Sequence, residues 1–357
     1  MTRLFFKTIN FFLSKRKRPI KNSGFKKILV VSNTALGDTI LSTPLMKSIK
    51  LTFPNSQVYL LTSKIHADLL KKYEYVDKFL VYDKRFVGLM MLIRRIKKEH
   101  IGAIFFSHSN GPQDYFIASL SGSEKIFKAL SYPMKITEEF EKIISGHSNL
   151  IKQHTIESRL DMLRGMNSTV LEKDLNLDGV YPKRKFNGSK IILLQLAAAD
   201  IYKVWPVEKF VKLAKRINLS SKNKYKFLLI GQRSEEYLAK KFINLSKSDV
   251  NVESYCGKTN LYELGKLISH SSFLITNDTG TLHLSIAIGT PTVSIFSQTD
   301  PEIYGPYQNL EIHKVVYKPD ISEARIPKKL KTQVPISSIP VSEVYAAFLS
   351  LEGVKCQ

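Results

Sequence analysis

Cysteine is nearly missing: Cys256 and Cys356 are the only two in 357 residues, far apart and without a CxxC. That excludes a disulfide framework and a cysteine-built metal site, and it fits a reducing cytoplasm. No apolar run reaches the roughly 18 to 20 residues that cross a bilayer. Acidic residues are scarce as well, 31 against 54 Lys plus Arg, which leaves a formal net charge of +23. A field of that sign draws polyanions such as nucleic acid, acidic lipid or phosphorylated glycan, and charge alone does not choose among them. Familiar nucleotide motifs are wanting too. CGKTN contains GKT, but Val252 stands where a Walker A loop needs Gly, and no GxGxxG follows a strand, which weakens a nicotinamide dehydrogenase reading. FFSHSN offers one His with no second metal ligand at useful spacing.

What is present begins with a basic stretch. Arg3, Lys7, Lys15, Arg16, Lys17, Arg18, Lys21, Lys26 and Lys27 precede the first acidic residue, Asp38. On a helix, Phe5, Phe6, Ile9, Phe12 and Leu13 share one stripe, with KRKR after it rather than a small-residue cleavage site. The pattern predicts residues 1–26 as an uncleaved amphipathic segment on an anionic membrane surface, with packing on the protein's own core as the alternative.

Short β-branched runs then alternate with helical segments. KILVVS (27–32), VYLLT (58–62), KFLVY (78–82) and AIFFS (103–107) read as parallel strands. After the turn-prone DGVYPKRKFNGSK (178–190) the rhythm restarts with IILLQ (191–195), KFLLIG (226–231), FLIT (273–276) and TVSIF (292–296). With 43% hydrophobic residues and this length, two α/β domains follow, each a doubly wound sheet, at 27–182 and 183–338. IPVSEVYAAFLSLEG, within 339–357, reads as a terminal helix.

Four strand-to-helix junctions could carry chemistry, because ligands of such sheets collect at the carboxyl ends of the strands. In SNTALGDTILSTP, Asp38 sits in the loop or first helical turn, where a carboxylate can take a proton from a hydroxyl; the plainer reading is a helix cap. In AAADIYKVWP, Lys203 could meet a phosphate oxygen, or be a solvated surface lysine. In IGQRSEE, Glu235 could bind sugar hydroxyls or complement a helix dipole. In ITNDTGTLH, a helix starting near Thr279 would aim the free N–H groups of Thr279, Gly280 and Thr281 at an anion beyond the strand end, phosphate above all. His283 adds a hydrogen bond or positive charge there, whereas Asp278 suits a hydroxyl or a cap better than a phosphate.

Together LGDTILSTPLMKSIK, KVWPVEKF, IGQRSEE and NDTGTLHLSIAIGTPTVSIFSQTDPEIYGPY resemble bacterial heptosyltransferases, glycosyltransferase family 9, over most of the chain from about residue 27. The resemblance implies a GT-B architecture, two Rossmann-like domains facing across a cleft, with a terminal helix packing back on the first domain. It also implies inverting transfer of a heptose from ADP-heptose, as substrate, to a hydroxyl of the lipopolysaccharide inner core, with no cofactor and no essential metal. Matched position by position, Asp38 is the general base, Lys203 meets the leaving diphosphate, and Glu235 and Thr259 lie on the donor side. Asp278, Thr279, Gly280 and His283 form the family's D-T-G-x-x-H element at the sugar and diphosphate.

The sequence departs from the family at Ala197-Ala198-Ala199, where hydroxyl-bearing or Gly residues are common, and at Ser297-Gln298, which replace Gly-Pro. Another nucleotide sugar or surface-glycan acceptor is thus the alternative within the family. A nucleotide-sugar epimerase of the same fold is a second alternative. Nucleic acid is not expected as a partner, since aromatics interleaved with basic residues do not extend beyond residues 1–27. The expected setting is the cytoplasmic face of the inner membrane, where a glycolipid acceptor and anionic lipid both answer the basic charge.

Overall fold

The computed structural model describes residues 24–82, 86–108, 111–130, 137–181, 190–221, 225–319 and 334–353. The expected membrane helix falls in residues 1–23, outside that set. The chain divides into two compact units, Met1–Val180 and Tyr181–Gln357, a break two residues before the expected one.

The first unit holds a sheet of β1 (Lys27–Ser32), β2 (Gln57–Thr62), β3 (Lys78–Val81), β4 (Ala103–His108), β5 (Lys125–Lys128) and β6 (Gly146–His147). Their spatial order is β3-β2-β1-β4-β5-β6, and every pairing is parallel. Parallel strands covered by helices on both faces can be apolar throughout, which is why KILVVS is buried from its second residue to its last. The second unit repeats the plan with β7 (Ile191–Gln195), β8 (Lys226–Ile230), β9 (Val252–Ser254), β10 (Phe273–Asn277), β11 (Thr292–Phe296) and β12 (His313–Tyr317), in the order β12-β11-β10-β7-β8-β9. All five of these pairings are parallel as well. Both units are therefore Rossmann-like. The strand order reverses between β1 and β4 in one and between β7 and β10 in the other, and there the connections leave a crevice at the carboxyl ends of the strands.

Trp205, the only tryptophan, is fully buried in the second unit. It lies edge-on to Phe210 and donates its indole N–H to the Ile339 carbonyl at 3.1 Å, which satisfies the one polar atom that burial would strand.

The terminal helix, Val341–Glu352, departs from expectation. Its buried side chains Val344, Tyr345, Phe348 and Leu351 join the core of the second unit rather than crossing back to the first. Phe348 packs edge-on to Tyr225 and Phe273, and the Tyr225 hydroxyl donates to Glu352 at 2.9 Å. The physical reason is the apolar face that β7, β8, β10 and β11 leave between Tyr225 and Phe273, which this aromatic helix fills.

Candidate functional site

In the second unit the crevice lies beyond Gln195, the last residue of β7, and Asn277, the last of β10. Asn277 is fully buried and acts as a clamp. Its amide donates to the carbonyls of Gln195 (3.3 Å) and Leu196 (2.9 Å), while its side-chain oxygen accepts the N–H of Trp205 at 3.0 Å. The loop through Ala197-Ala198-Ala199 is thereby held at both ends. A short 3-10 turn, Ile201–Lys203, closes it, and the Lys203 ammonium ion-pairs with Asp278.

The helix Gly280–Ile288 follows with Thr279 at its N-cap, extended and making no side-chain cap. The helix starts where the sequence predicts, and no Thr279 side-chain cap covers its N-terminus, where the positive end of the helix dipole lies. The Thr279 hydroxyl is turned to Thr276 at 3.0 Å. His283 is buried within the helix, one turn in, rather than displayed at its tip. Gly289 ends the helix in the left-handed conformation, φ 83°, that glycine adopts without strain.

Glu235, beyond β8, closes partly on its own loop by accepting the Gln232 N–H at 2.8 Å. It also takes a 3.4 Å contact from the Gln195 amide, whose oxygen accepts from Thr281 at 3.4 Å. Glu235 thus caps its own turn, the plainer of its two readings, and is wired through Gln195 to the start of the Gly280 helix. Thr259 is half-buried after β9, and among the described residues no side-chain hydrogen bond or ion pair joins it to this group. The carboxyl ends of β7 to β10 nonetheless put Lys203, Glu235, Thr259 and Asp278–Gly280 along one edge of one sheet.

The first unit has a corresponding crevice between β1 and β4. Register slips there: Val31 pairs with Phe106, but Ser32 pairs with His108, so Ser107 is an extra residue in β4. A bulge of this kind re-aims the next side chain. His108 comes to 3.4 Å from the Asp38 carboxylate, in the first turn of the helix Leu36–Ile40. The bulge is pinned by Ser107, whose hydroxyl donates to the Val31 carbonyl (2.9 Å) and whose carbonyl accepts from Arg159 Nε (3.0 Å). Arg159 is almost wholly buried and brings its guanidinium within 3.7 Å of Asp38. Thr34 donates to the same carboxylate at 2.7 Å and the Ala35 N–H at 3.3 Å.

Burial alone would raise the carboxyl of Asp38, but the charges of His108 and Arg159 and the two hydrogen bonds outweigh it, and Asp38 ends below its ordinary value. His108 is also lowered, first by burial and then by Arg159 and Lys128, against the pull of Asp38. The imidazole is therefore neutral at neutral pH, where Arg159 and the hydrogen bonds keep Asp38 ionised. An ionised carboxylate touching a neutral imidazole can receive a proton and pass it on.

Sequence reasoning located Asp38, Lys203, Glu235 and Asp278–Gly280 at strand ends and missed their partners. FFSHSN on its own suggests His108 only as a lone metal ligand. Arg159, within HTIESRLDMLRG, gave no local signal, because an arginine on a helix is ordinarily a surface residue. Among the described residues no group of three or more His, Cys, Asp or Glu is placed to hold a metal ion.

Comparison with known proteins bears on these two crevices. The model of glycosyltransferase family 9 (heptosyltransferase) matches residues 136–332. Lipooligosaccharide heptosyltransferase 2 of Campylobacter jejuni is 26% identical over 286 residues, 79% of this chain and 84% of that protein. A family 9 glycosyltransferase structure from Veillonella parvula superposes with a TM-score of 0.77 at 20% identity, over 93% of this chain and 99% of that one. An E. coli heptosyltransferase with ADP gives a TM-score of 0.70 at 15% identity, over 91% and 99%. At such identities the two structures speak for the fold alone.

Proposed function

Because the chain belongs to glycosyltransferase family 9, and is thus a glycosyltransferase, we propose that it moves a heptose from ADP-heptose to a hydroxyl of the lipopolysaccharide inner core, with inversion. The observation that carries this reading is the Lys203 ammonium beside the uncapped start of the helix Gly280–Ile288, at the switch point of the second sheet. That combination suits a diphosphate: two anionic groups meet a point charge, backbone N–H donors and a helix dipole in one crevice. Asp278 orients Lys203 and presents an acceptor to a sugar hydroxyl. The heptosyltransferase names of the relatives, and the E. coli neighbour described with ADP, support heptose and adenine.

In the reaction, Asp38 takes the proton of the acceptor hydroxyl as its oxygen bonds to the anomeric carbon. The bond from that carbon to the diphosphate breaks, and ADP leaves with the electron pair toward Lys203 and the helix N–H groups. General-base assistance of this kind is worth about 10² to 10⁴-fold in rate. Neutral His108 beside Asp38 gives the proton its next station. The side chains of Ala197-Ala198-Ala199 offer no polar contact to a diphosphate, which keeps another nucleotide sugar as the second reading. A glycolipid acceptor at the cytoplasmic face of the inner membrane agrees with the net charge of +23.

A thermal-shift series with ADP-, GDP- and UDP-sugars tests the donor: ligand at about a hundred times its Kd adds about 2.7 kcal/mol, and ADP-heptose should lead. Asp38→Ala should keep that shift and lose transfer. Full transfer by the variant removes Asp38 from the chemistry, and a larger shift with a UDP- or GDP-sugar removes ADP-heptose.

A further inference from the structure

The helix Phe86–Glu99, between β3 and β4 in the first unit, has no polar side chain from Phe86 to Ile93. A helix apolar all round is ordinarily buried on every side. This one is not: Leu89, Leu92, Ile93 and Ile96 pack inward, while Val87, Met90 and Met91 are 69%, 40% and 59% exposed. Single exposed apolar residues need no explanation, but these three share one stripe at the i, i+3, i+4 spacing. The same stripe continues into Arg94, Arg95, Lys97 and Lys98, all exposed. The helix has one acid, Glu99, and it is spent inward, against Lys27 at 2.9 Å, Lys78 at 2.5 Å and the Tyr59 hydroxyl at 2.8 Å. The outer face is therefore apolar at its start and purely cationic at its end.

We propose that this face docks on an anionic lipid surface, with Val87, Met90 and Met91 entering the headgroup–acyl boundary and Arg94, Arg95, Lys97 and Lys98 meeting lipid phosphates. An anionic lipid surface satisfies both halves. A nucleic acid would use the cations and leave the methionines in water. A second copy of the chain would bring the same four positive charges to the contact and be repelled. Long basic side chains at the boundary can lay their stems on apolar surface while their heads reach phosphate. The surface is built from residues other than the basic stretch 1–26, and the proposal rests on the proposed function and deepens it by setting the acceptor-side unit, the one that carries Asp38, against the layer in which a glycolipid acceptor is anchored.

The test is co-sedimentation of the full chain with extruded vesicles, either phosphatidylethanolamine with phosphatidylglycerol or phosphatidylcholine alone, at 0.05 and about 0.15 M salt. Binding to the anionic vesicles is expected. Reversal of Arg94, Arg95, Lys97 and Lys98 to Glu should weaken it by roughly tenfold or more, since each basic residue near such a surface contributes separately. Met90→Ser with Met91→Ser should weaken chiefly the part that survives the higher salt. All six positions are exposed, so an unchanged melting curve is the fold control, and the serine pair stands alone should the charge reversal fail to fold. Unaltered binding by both helix variants, with loss only when Lys15, Arg16, Lys17 and Arg18 are reversed in the full chain, overturns the proposal. So does equal partition into phosphatidylcholine, or duplex DNA bound in place of vesicles. Transfer to a deacylated, water-soluble acceptor should be unaffected by every helix variant. An inactive native protein in that assay would count against the proposed function and leave the lipid result to stand on its own.

Discussion

As the proposed base, Asp38 is weakened by its surroundings, and His108 is the remedy the first crevice offers. With Arg159 at 3.7 Å the carboxylate holds a proton poorly, so in the proposed reaction a proton taken from the acceptor hydroxyl would pass to the neutral imidazole 3.4 Å away. The two pKa directions fix the sign of the pH dependence. Both groups are lowered, so Asp38 is ionised across the neutral range, and acid inactivation should begin where His108 gains a proton, below its ordinary 6.5. An imidazolium there would pair with the carboxylate and quench it. His108→Gln should keep donor affinity, lower kcat by about tenfold or more, and move the acid limb of the kcat profile toward the carboxylate range. An acid limb in the same place in the variant, at native kcat, means that His108 only fills space.

At the scale of elements, β12 carries a pH sensor for stability. His313 opens that strand opposite Thr292, is buried, and takes or gives one hydrogen bond to the threonine hydroxyl at 3.0 Å, while its Nε2 has no hydrogen-bond partner among the described residues. Burial, with Lys314 adding to it, pushes the imidazole down to about 4. The unfolded chain binds a proton near 6.5 and the folded one does not until about 4, so the contribution of neutral His313 is complete above 6.5 and is lost as pH falls through that window. The span corresponds to about 3 kcal/mol. Melting temperatures of His313→Leu should be flatter than native between pH 6.5 and 4; parallel curves would place the acid sensitivity elsewhere.

Elements also explain what the sequence revealed. β1, β2, β4, β7, β10 and β11 are apolar runs because both of their faces are covered, so they are legible one residue at a time. KIFK (β5), GH (β6), VES (β9) and HKVVY (β12) are short or charged and become strands only because a neighbour offers them a ladder. The terminal helix was read correctly as a helix and assigned to the wrong partner, since an apolar stripe says that something is covered but not what. The same limit hid the company of Asp38. Residues 38, 107, 108 and 159 meet through a bulge, and a bulge has no signature in a string that reads FFSHS.

On the scale of the whole molecule, two sheets of identical strand order each put polar side chains at their switch point, Asp38 with His108 and Arg159 in one and Lys203 with Asp278 and Glu235 in the other. That division predicts where ADP is felt. In hydrogen exchange, protection on adding ADP should concentrate in the second unit, at 195–203, 231–235 and 276–283. Protection confined to residues 32–42 and 103–108 would reverse the assignment of donor and acceptor sides.

The clamp made by Asn277 has a consequence for how that ligand arrives. One amide has already frozen the peptide planes that follow β7, so little chain has to be ordered when a nucleotide settles. Capture should then be a single fast step in stopped flow, with no slow isomerisation trailing it. Its calorimetric signature should be a modest entropic penalty of the kind shown by a mould set before casting, and Asn277→Ala should restore the missing slow phase.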